Sequence, residues 1–188
     1  SELTTLCGVF HSAGVLVDRV LAAQCEQTLL RSFAPKAHGA WWLQRAATAA
    51  PATCALFSSV AALLGGAGQA NYSAANACLD ALGSCRRSCA QAATSVQWGA
   101  WAEVGMASRG AVAERMAAME AASGFGRIGL AQGLGALHAA VLPQVPSLVG
   151  VVPVQWGRML RDGAVPAFLS NMVAPATVWR ASVARAER

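Results

Sequence analysis

The sequence predicts a single α/β domain built on a doubly wound parallel sheet, and two observations lead to this prediction. Short apolar runs alternate with longer segments of helical pattern along the chain, as in proteins whose strands are joined by crossover helices. The apolar runs are continuous, which is typical of parallel strands that helices cover on both faces. A length of 188 residues with 55% hydrophobic residues fits one domain with one core and excludes disorder of the whole chain.

Each predicted strand is a short apolar run that ends at turn residues or at polar side chains. The predicted strands are residues 6–10, 53–57, 94–98 and 148–152. Crossovers between parallel strands are almost always right-handed, so the carboxyl ends of the strands lie along one edge of the sheet. His11, Ser58–Ser59 and Trp98–Gly99 follow three of these strands. Because ligands bind at this edge in open α/β sheets, the sequence predicts one crevice lined by three loops.

Proline and glycine residues mark the ends of the helices that are predicted between the strands. Pro35 is predicted to begin a helix, because its missing N–H costs nothing in the first turn. A glycine-rich loop at 65–68 leads into the longest helix, and a second loop spans 99–110. The predicted helices are residues 22–30, 35–47, 71–90, 111–122 and 130–141, followed by a tail from residue 156 with room for one short helix.

The charge pattern disfavours nucleic acid and membrane as partners. The net charge is +5, but the arginines are scattered, without runs or interleaved aromatic residues. The mean hydropathy is +0.43, yet the long uncharged stretches, 46–79 and 128–157, are interrupted by prolines and amide side chains. Neither supplies the roughly 20 apolar residues that a spanning helix needs. No signal peptide is visible at the first residues, so we expect a protein that is not secreted.

The six cysteines lack the spacing of a metal site or of a disulfide framework. Four are isolated within apolar segments, whereas Cys85 and Cys89 lie four residues apart on the longest predicted helix. There is no Cys-x-x-Cys pair, and the three histidines stand at no ligand spacing. We expect free thiols that behave as small core residues in a reducing compartment, with no bound metal.

The chain has one tyrosine, Tyr72, and one lysine, Lys36. Tyr72 opens the longest predicted helix, Asn76 shares its helical face, and Ser59 ends a strand thirteen residues earlier. Reduction of a carbonyl builds negative charge on oxygen, which requires a hydrogen-bond donor and a source of a proton. A serine hydroxyl and a tyrosine phenol can supply these, and a nearby ammonium favours the phenolate. The alternative is a tyrosine buried for structural reasons together with a surface lysine.

The chain resembles the active-site segment of short-chain dehydrogenase/reductases over residues 56–76, Leu-Phe-Ser-Ser-Val-Ala-Ala-Leu-Leu-Gly-Gly-Ala-Gly-Gln-Ala-Asn-Tyr-Ser-Ala-Ala-Asn. More narrowly, it resembles the ketoreductase domains of polyketide synthases, which carry Tyr-x-x-x-Asn and move the lysine to the preceding helix. Tyr72 and Asn76 match that pattern, and Lys36 lies in a segment similar to the family's Pro-Lys-x-x-Gly-Ala.

This resemblance implies a Rossmann-like fold and assigns roles to particular side chains. The implied catalytic set is Tyr72, Ser59, Lys36 and Asn76. Ser58 is the second candidate serine, but the family's thirteen-residue spacing selects Ser59.

Three further segments resemble the same family. Residues 9–16 are similar to its His-Ala-Ala-Gly loop, which lies near the nicotinamide riboside of the cofactor. Residues 96–107 resemble the strand and lid loop that close over cofactor and substrate, and residues 152–156 resemble a closing Pro-Val-x-Trp segment. The resemblance implies NADPH as cofactor, with these contacts: His11, Ser12, Ala13, Gly14, Tyr72, Lys36, Trp98 and Gly99.

The resemblance also bears on stereochemistry. One type of family member carries Leu-Asp-Asp after the His-Ala-Ala-Gly loop, and the other carries a tryptophan eight residues before the tyrosine. This chain has Leu16-Val17-Asp18 in place of the Leu-Asp-Asp motif. It has Leu64 where the other type carries the tryptophan. Asp18, Leu64 and Gln69 are therefore the expected substrate-steering residues, and the expected product is a 3R alcohol. The alternative for Asp18 is a helix N-cap or an exposed loop charge.

The implied function is NADPH-dependent reduction of a 3-oxoacyl thioester on an acyl carrier protein to a 3-hydroxyacyl thioester, in polyketide or fatty acid biosynthesis. The partners would be an acyl carrier protein domain carrying the phosphopantetheine thioester and the other domains of the same synthase. The implied compartment is the cytoplasm, or the plastid stroma in an alga.

The resemblance begins at the family's fourth strand, and no Gly-x-Gly-x-x-Gly turn follows a strand to bind pyrophosphate. We therefore expect residues 1–160 to be the C-terminal catalytic part of an N-terminally truncated ketoreductase domain, with residues 161–188 as a tail or linker. The isolated chain is expected to be inactive. The alternative is a non-catalytic reductase-like scaffold, and a self-contained hydrolase is disfavoured because the chain has no Gly-x-Ser-x-Gly elbow.

Overall fold

Four parallel strands form the central sheet of the protein. A computed structural model of the chain describes residues 6–46, 51–103, 124–160, 165 and 167–172. The strands are β1 (Gly8–His11), β2 (Thr53–Ser59), β3 (Thr94–Trp98) and β4 (Leu148–Val151). They lie in the order β1-β2-β3-β4, and every neighbouring pair is parallel. The predicted parallel sheet is confirmed.

Helices connect these strands and cover the sheet. They are α1 (Glu26–Phe33), α2 (Gly39–Ala46), α3 (Ala61–Leu64), α4 (Ala70–Ser88), α5 (Leu130–Ala140) and α6 (Trp156–Met159). A π turn (Ala34–His38) joins α1 to α2, and 3-10 turns occupy Leu21–Ala23 and Ala167–Met172. The predicted helix at 111–122 lies outside the described residues.

Both faces of the sheet are buried under helices, because side chains of a strand alternate between its two faces. On one face, Leu56 of β2 packs with Leu79 of α4 and Ala40 of α2. On the other face, Val96 and Trp98 of β3 cluster with Ile128 and with Ala140, the last residue of α5. The doubly wound arrangement predicted from the continuous apolar runs is therefore confirmed.

The prediction that Pro35 begins a new helix is wrong. The chain is helical without interruption from Glu26 to Ala46, and Pro35 lies inside the π turn. A proline within a helix removes one backbone donor and crowds the carbonyl four residues earlier. A π turn inserts an extra residue into the helical ladder, and it provides room for the ring without ending the helix.

The helix before the π turn, α1, begins at Glu26, four residues later than predicted. Its N-cap is Cys25, whose backbone N–H donates to the hydroxyl of Thr28 at 2.9 Å. The Cys25 side chain accepts a hydrogen bond from the Thr28 backbone in return. This reciprocal capping box fixes the start of α1.

A short helix, α3, that was not predicted lies between β2 and the glycine-rich loop. Gly65 follows α3 with φ of 76°, and Gly68 has φ of 74°. Both values lie in the left-handed region that glycine adopts at no steric cost. These two glycines turn the chain sharply from β2 into α4, which begins at Ala70 as the sequence predicts to within one residue.

None of the six cysteines forms a disulfide in the structure. Their expected burial is wrong in five cases, because only Cys54 lies in the core and the others are exposed. Three of the exposed thiols, Cys78, Cys85 and Cys89, lie on or directly after α4.

None of the helices described is both long and apolar enough to cross a membrane.

Candidate active site

The carboxyl ends of β1, β2 and β3 meet at one edge of the sheet, as predicted. His11 is the last residue of β1 and pairs in register with Leu56 of β2. Ser59, the last residue of β2, pairs in register with Trp98, the last residue of β3. The start of α4, with Tyr72 in its first turn, lies on the chain directly after the loop that leaves β2.

Lys36 reaches this edge from the π turn and is buried. It is only 3% exposed, so the alternative of a surface lysine is wrong. Its Nζ donates a hydrogen bond to the carbonyl oxygen of Phe57 on β2 at 3.0 Å. The same nitrogen lies 5.3 Å from the centre of the Tyr72 ring, within the range of a cation–π contact.

Burial changes the acidity of the lysine. Desolvation lowers the pKa of Lys36 from its ordinary 10.5 to about 8, and the negative charge of Asp80 partly opposes this shift. Asp80 on α4 is itself held by β3, since it accepts hydrogen bonds from Ser95 Oγ at 2.6 Å and Gln97 Nε2 at 2.8 Å. With this pKa, Lys36 is mostly an ammonium ion at pH 7.

Tyr72 is buried as well and keeps its proton at neutral pH. Desolvation raises the pKa of Tyr72 above its ordinary value, whereas hydrogen bonds with the side chains of Ser59 and Asn76 lower it. The nearby charge of Asp18 adds a smaller contribution that raises the pKa. Burial has the largest effect, so the phenol is neutral at pH 7, which is the form that a proton donor requires.

The structure separates the two candidate serines. The Ser59 side chain interacts with Tyr72 and also accepts a hydrogen bond from the Ala61 backbone N–H at 3.2 Å. The Ser58 hydroxyl instead donates to the backbone carbonyl of Asn76 at 3.3 Å, on the face of the sheet that α4 covers. Ser59 is therefore the serine beside the phenol, as the sequence predicts.

Asn76 lies one helical turn after Tyr72 and is fully buried. Its Nδ2 donates to the backbone carbonyl of Tyr72 at 2.8 Å. Its Oδ1 has no hydrogen-bond partner among the described residues. A buried amide oxygen without a partner is uncommon in proteins, and this one is an available acceptor beside the phenol.

The structure gives His11 a protein contact within the site. The His11 ring is 5% exposed, and its Nε2 lies 3.0 Å from the backbone carbonyl oxygen of Lys36. Ser12 and Ala13, which follow it, are exposed, and Gly14 is half-buried. The cofactor contacts expected for these four residues remain predictions.

The two other expected cofactor residues lie in an aromatic and close-packed region. The Trp98 ring is 5.5 Å from the Phe57 ring and 5.0 Å from the Trp101 ring, between their centres. A Cβ at Gly99 would lie 2.8 Å from a methyl carbon of Val152, so only glycine fits there. Packing therefore explains Gly99, and its cofactor contact also remains a prediction.

Two of the expected steering residues, Asp18 and Gln69, are in contact. Gln69 Nε2 donates to Asp18 Oδ1 at 3.3 Å, and Arg19 N donates to the Gly68 carbonyl at 2.8 Å. Leu64 ends α3, on the same loop that precedes Tyr72. The N-cap alternative for Asp18 is wrong, because the N-cap of the next helical turn is Val20.

Asn71 is a structural residue of the site that the sequence did not predict. It is 1% exposed, and its Nδ2 lies 2.9–3.1 Å from three acceptors: the carbonyls of Val17 and Thr28 and the hydroxyl of Ser32. Its Oδ1 accepts the backbone N–H of Tyr72 at 2.9 Å. One amide thus ties α1 and the loop after β1 to the start of α4. Its position next to the single tyrosine was the only available signal.

Comparison with solved structures shows the class of this fold and site. The first ketoreductase of the tylosin polyketide synthase is 35% identical, with a TM-score of 0.71, over 81% of this chain and 33% of that one. An A-type ketoreductase from a modular polyketide synthase is 34% identical, with a TM-score of 0.74, over 85% of this chain and 33% of that one. The fold is therefore that of the short-chain dehydrogenase/reductases.

The family model of the KR domain matches residues 1–103. The chain belongs to this family, the ketoreductase domains of polyketide synthases. Similar proteins include polyketide synthase GfsA of Streptomyces halstedii, which is 39% identical over 89% of this chain and 2% of its own length. Phthioceranic/hydroxyphthioceranic acid synthase of Mycobacterium tuberculosis is 46% identical over 52% of this chain and 5% of its own length. The chain thus spans a small part of these synthases and about a third of the solved ketoreductase chains.

Proposed function

We propose that this chain is the catalytic part of a ketoreductase domain that reduces a 3-oxoacyl thioester to a 3-hydroxyacyl thioester. One observation carries the proposal. A buried phenol, Tyr72, is placed at the carboxyl edge of the sheet between a serine hydroxyl, Ser59, and an ammonium, Lys36. Each of these groups matches one requirement of carbonyl reduction.

Tyr72 is the proton donor in this proposal. Reduction leaves an alkoxide at the former carbonyl oxygen, and this oxygen must receive a proton. The phenol is neutral at pH 7 because burial raises its pKa. Tyr72 therefore holds the transferable proton until the negative charge on the substrate oxygen draws it away.

Ser59 holds the substrate carbonyl. Its hydroxyl lies next to the phenol, so one carbonyl oxygen can accept hydrogen bonds from Ser59 and Tyr72 together. A donor aimed at the place where negative charge develops stabilises the transition state more than the ground state. Ser59 thereby fixes the position of the ketone and lowers the barrier of the reduction step.

Lys36 stabilises the phenolate that remains after proton transfer. Its ammonium lies over the face of the Tyr72 ring at 5.3 Å, and opposite charges in a buried site attract strongly. With a pKa of about 8, the ammonium is present at physiological pH. Asn76 offers its unpartnered Oδ1 to the lysine or to a water molecule that returns a proton to Tyr72.

The described residues fit the reacting end of a nicotinamide cofactor. Tyr72, Lys36 and Asn76 are buried polar residues of one site, and Asn76 Oδ1 has no partner among the described residues. We propose NADPH, held by Tyr72 and Lys36, by the loop after β1 (Ser12, Ala13, Gly14), and by Trp98 at the end of β3 with Gly99 after it. The cofactor supplies the hydride when bound. Among the described residues, no Gly-x-Gly-x-x-Gly turn follows a strand to hold the pyrophosphate, so we propose that the other end of the cofactor binds elsewhere in a longer polypeptide.

The substrate and partner follow from the same proposal. The solved ketoreductases that this chain matches are about three times its matched length, and the curated relatives are large synthases. We propose that residues 1–160 act inside such a synthase, with residues 161–188 as a tail or linker. The partner is then an acyl carrier protein domain that delivers the 3-oxoacyl group as a phosphopantetheine thioester.

The test is NADPH oxidation by the full-length polypeptide that carries this chain. The substrate is a synthetic 3-oxoacyl thioester, and NADH is assayed in parallel. The proposal expects NADPH consumption that depends on the thioester, with a 3-hydroxyacyl product identified by mass spectrometry. A correctly folded polypeptide that binds an acyl carrier protein but consumes no NADPH would instead establish the non-catalytic scaffold.

A further inference from the structure

His11 makes a contact that the proposed mechanism does not use. It ends β1, it is 5% exposed, and its Nε2 lies 3.0 Å from the backbone carbonyl oxygen of Lys36. Burial lowers the pKa of His11, and this outweighs the backbone hydrogen bonds to Lys36 and Pro35 that raise it. The charge of Lys36 lowers it further. The ring is therefore neutral at pH 7, and the tautomer with its proton on Nε2 donates to the Lys36 carbonyl.

Gly39 provides the space that this ring occupies. A Cβ at position 39 would lie 3.3 Å from His11 Cε1 and 3.8 Å from His11 Nε2. The Gly39 backbone N–H also donates to the carbonyls of Ala34 and Lys36. The imidazole therefore packs directly against the end of the π turn, and a Cβ at position 39 would be in tight contact with the ring, which would have to shift by a few tenths of an ångström.

The π turn is the part of this helix that most needs an external support. Pro35 removes one backbone donor from the helical hydrogen-bond ladder. The hydrogen bonds of a π turn join residues five apart, whereas those of an α-helix join residues four apart. Lys36 lies in this turn and must nevertheless hold its ammonium above the Tyr72 ring. The structure attaches Lys36 at two points: its Nζ to Phe57 O of β2, and its backbone carbonyl to His11 of β1.

We infer that His11 is a positioning residue that fixes the π turn and thereby holds the Lys36 ammonium over Tyr72. The inference rests on the proposed function, because it concerns the lysine that assists the tyrosine. It differs from the cofactor contact that the family resemblance implies for His11. The His11 ring acts through Lys36, and its Nε2 is already engaged by the protein.

The two roles of His11 predict different kinetic effects in the full-length polypeptide. If His11 positions Lys36, His11→Ala lowers kcat about tenfold, the effect of losing roughly one hydrogen bond, and moves the alkaline limb of the pH–rate profile toward that of Lys36→Met. The KM for NADPH then changes little. His11→Gln, whose amide nitrogen can replace Nε2, recovers most of the loss. A cofactor contact would raise the KM for NADPH and leave the pH profile unchanged, which would overturn the inference.

Two further variants separate positioning from general destabilisation. Cys54→Ala removes a buried side chain from the same region of the core, and it is expected to lower the unfolding midpoint without moving the pH profile. Gly39→Ala is expected to change kcat and the pH profile in the same direction as His11→Ala but by less, and to add little in the double variant, because its tightest contact is with the His11 ring. Additive effects of these two substitutions would contradict the inference. If His11→Ala does not fold, Gly39→Ala is measured alone, and a folded Gly39→Ala variant with the wild-type kcat and pH profile would contradict the inference.

Lys36→Met, measured in parallel, shows which statement has failed. If Lys36→Met shifts the pH profile and His11→Ala and Gly39→Ala do not, only the role of His11 is overturned. If Lys36→Met itself keeps the wild-type profile, the proposed role of Lys36 fails, and the inference about His11 fails with it.

Discussion

The ammonium nitrogen of Lys36 lies 5.3 Å from the centre of the Tyr72 ring, although the two residues belong to different helical segments. The same nitrogen donates to the Phe57 carbonyl, so the lysine stands between the sheet and the phenol. Burial lowers the pKa of the lysine to about 8 and raises the pKa of the tyrosine. Both groups are therefore in the protonated form at pH 7, and in the proposed mechanism the ammonium favours the phenolate as the proton leaves.

Replacing Lys36 by methionine is expected to change the pH dependence of reduction. In the wild type, the ammonium is lost as the pH rises through about 8. Without the ammonium, the pKa of Tyr72 rises and the phenol becomes a weaker acid. Lys36→Met should therefore lower the maximal rate, remove the transition near pH 8 and extend the alkaline limb to higher pH. Steady-state rates across pH 6 to 10 measure this, and an unchanged alkaline limb would contradict the role of Lys36.

The two neighbouring serines offer a matched pair of variants. Ser59→Ala removes the hydroxyl beside Tyr72 and should lower kcat roughly 10²- to 10³-fold, as measured for the loss of one oxyanion donor in other enzymes. Ser58→Ala removes a hydroxyl that bonds only the Asn76 backbone and should lower kcat by less than about tenfold. If Ser58→Ala had the larger effect on kcat at equal protein stability, the assignment of Ser59 would be reversed.

The contact between Asp18 and Gln69 bears on the stereochemistry of the product. Gln69 donates to the Asp18 carboxylate from the loop directly before Tyr72. The full-length polypeptide is expected to form mainly the 3R alcohol, and Asp18→Ala is expected to reduce that excess. Glu26→Ala is the control, since it removes an exposed carboxylate from α1. Chiral chromatography decides the matter: a predominantly 3S product would refute the expectation, and an unchanged ratio in Asp18→Ala would exclude steering by Asp18.

The 188-residue chain alone is expected to associate and to bind NADPH weakly or not at all. Among the described strands, β1 pairs with β2 on one side only. Leu6 and Phe10 beside that edge are each 55% exposed, and an open apolar strand edge promotes association between chains. Size-exclusion chromatography and isothermal titration measure both properties. A monodisperse chain with micromolar affinity for NADPH would show this expectation to be wrong.

The sequence predicted the sheet and the grouping of Tyr72, Ser59, Lys36 and Asn76, because both leave local signals. Continuous apolar runs mark buried parallel strands, and the four-residue spacing of Tyr72 and Asn76 places them on one helical face. The π turn at Pro35 could not be predicted, because a proline that begins a helix and one inside a π turn have the same local pattern. The contacts of Asn71 and His11 join segments distant in sequence, and only the folded structure brings these partners together.

The most direct test of this account is the turnover of Tyr72→Phe in the full-length polypeptide. The substitution keeps the ring under the Lys36 ammonium and removes only the hydroxyl that is proposed to give up the proton. We expect reduction of the 3-oxoacyl thioester to fall by roughly 10²- to 10⁴-fold, the usual contribution of a general acid, with the circular dichroism spectrum and NADPH affinity retained. Near-normal turnover by folded Tyr72→Phe would contradict the claim that Tyr72 is the proton donor.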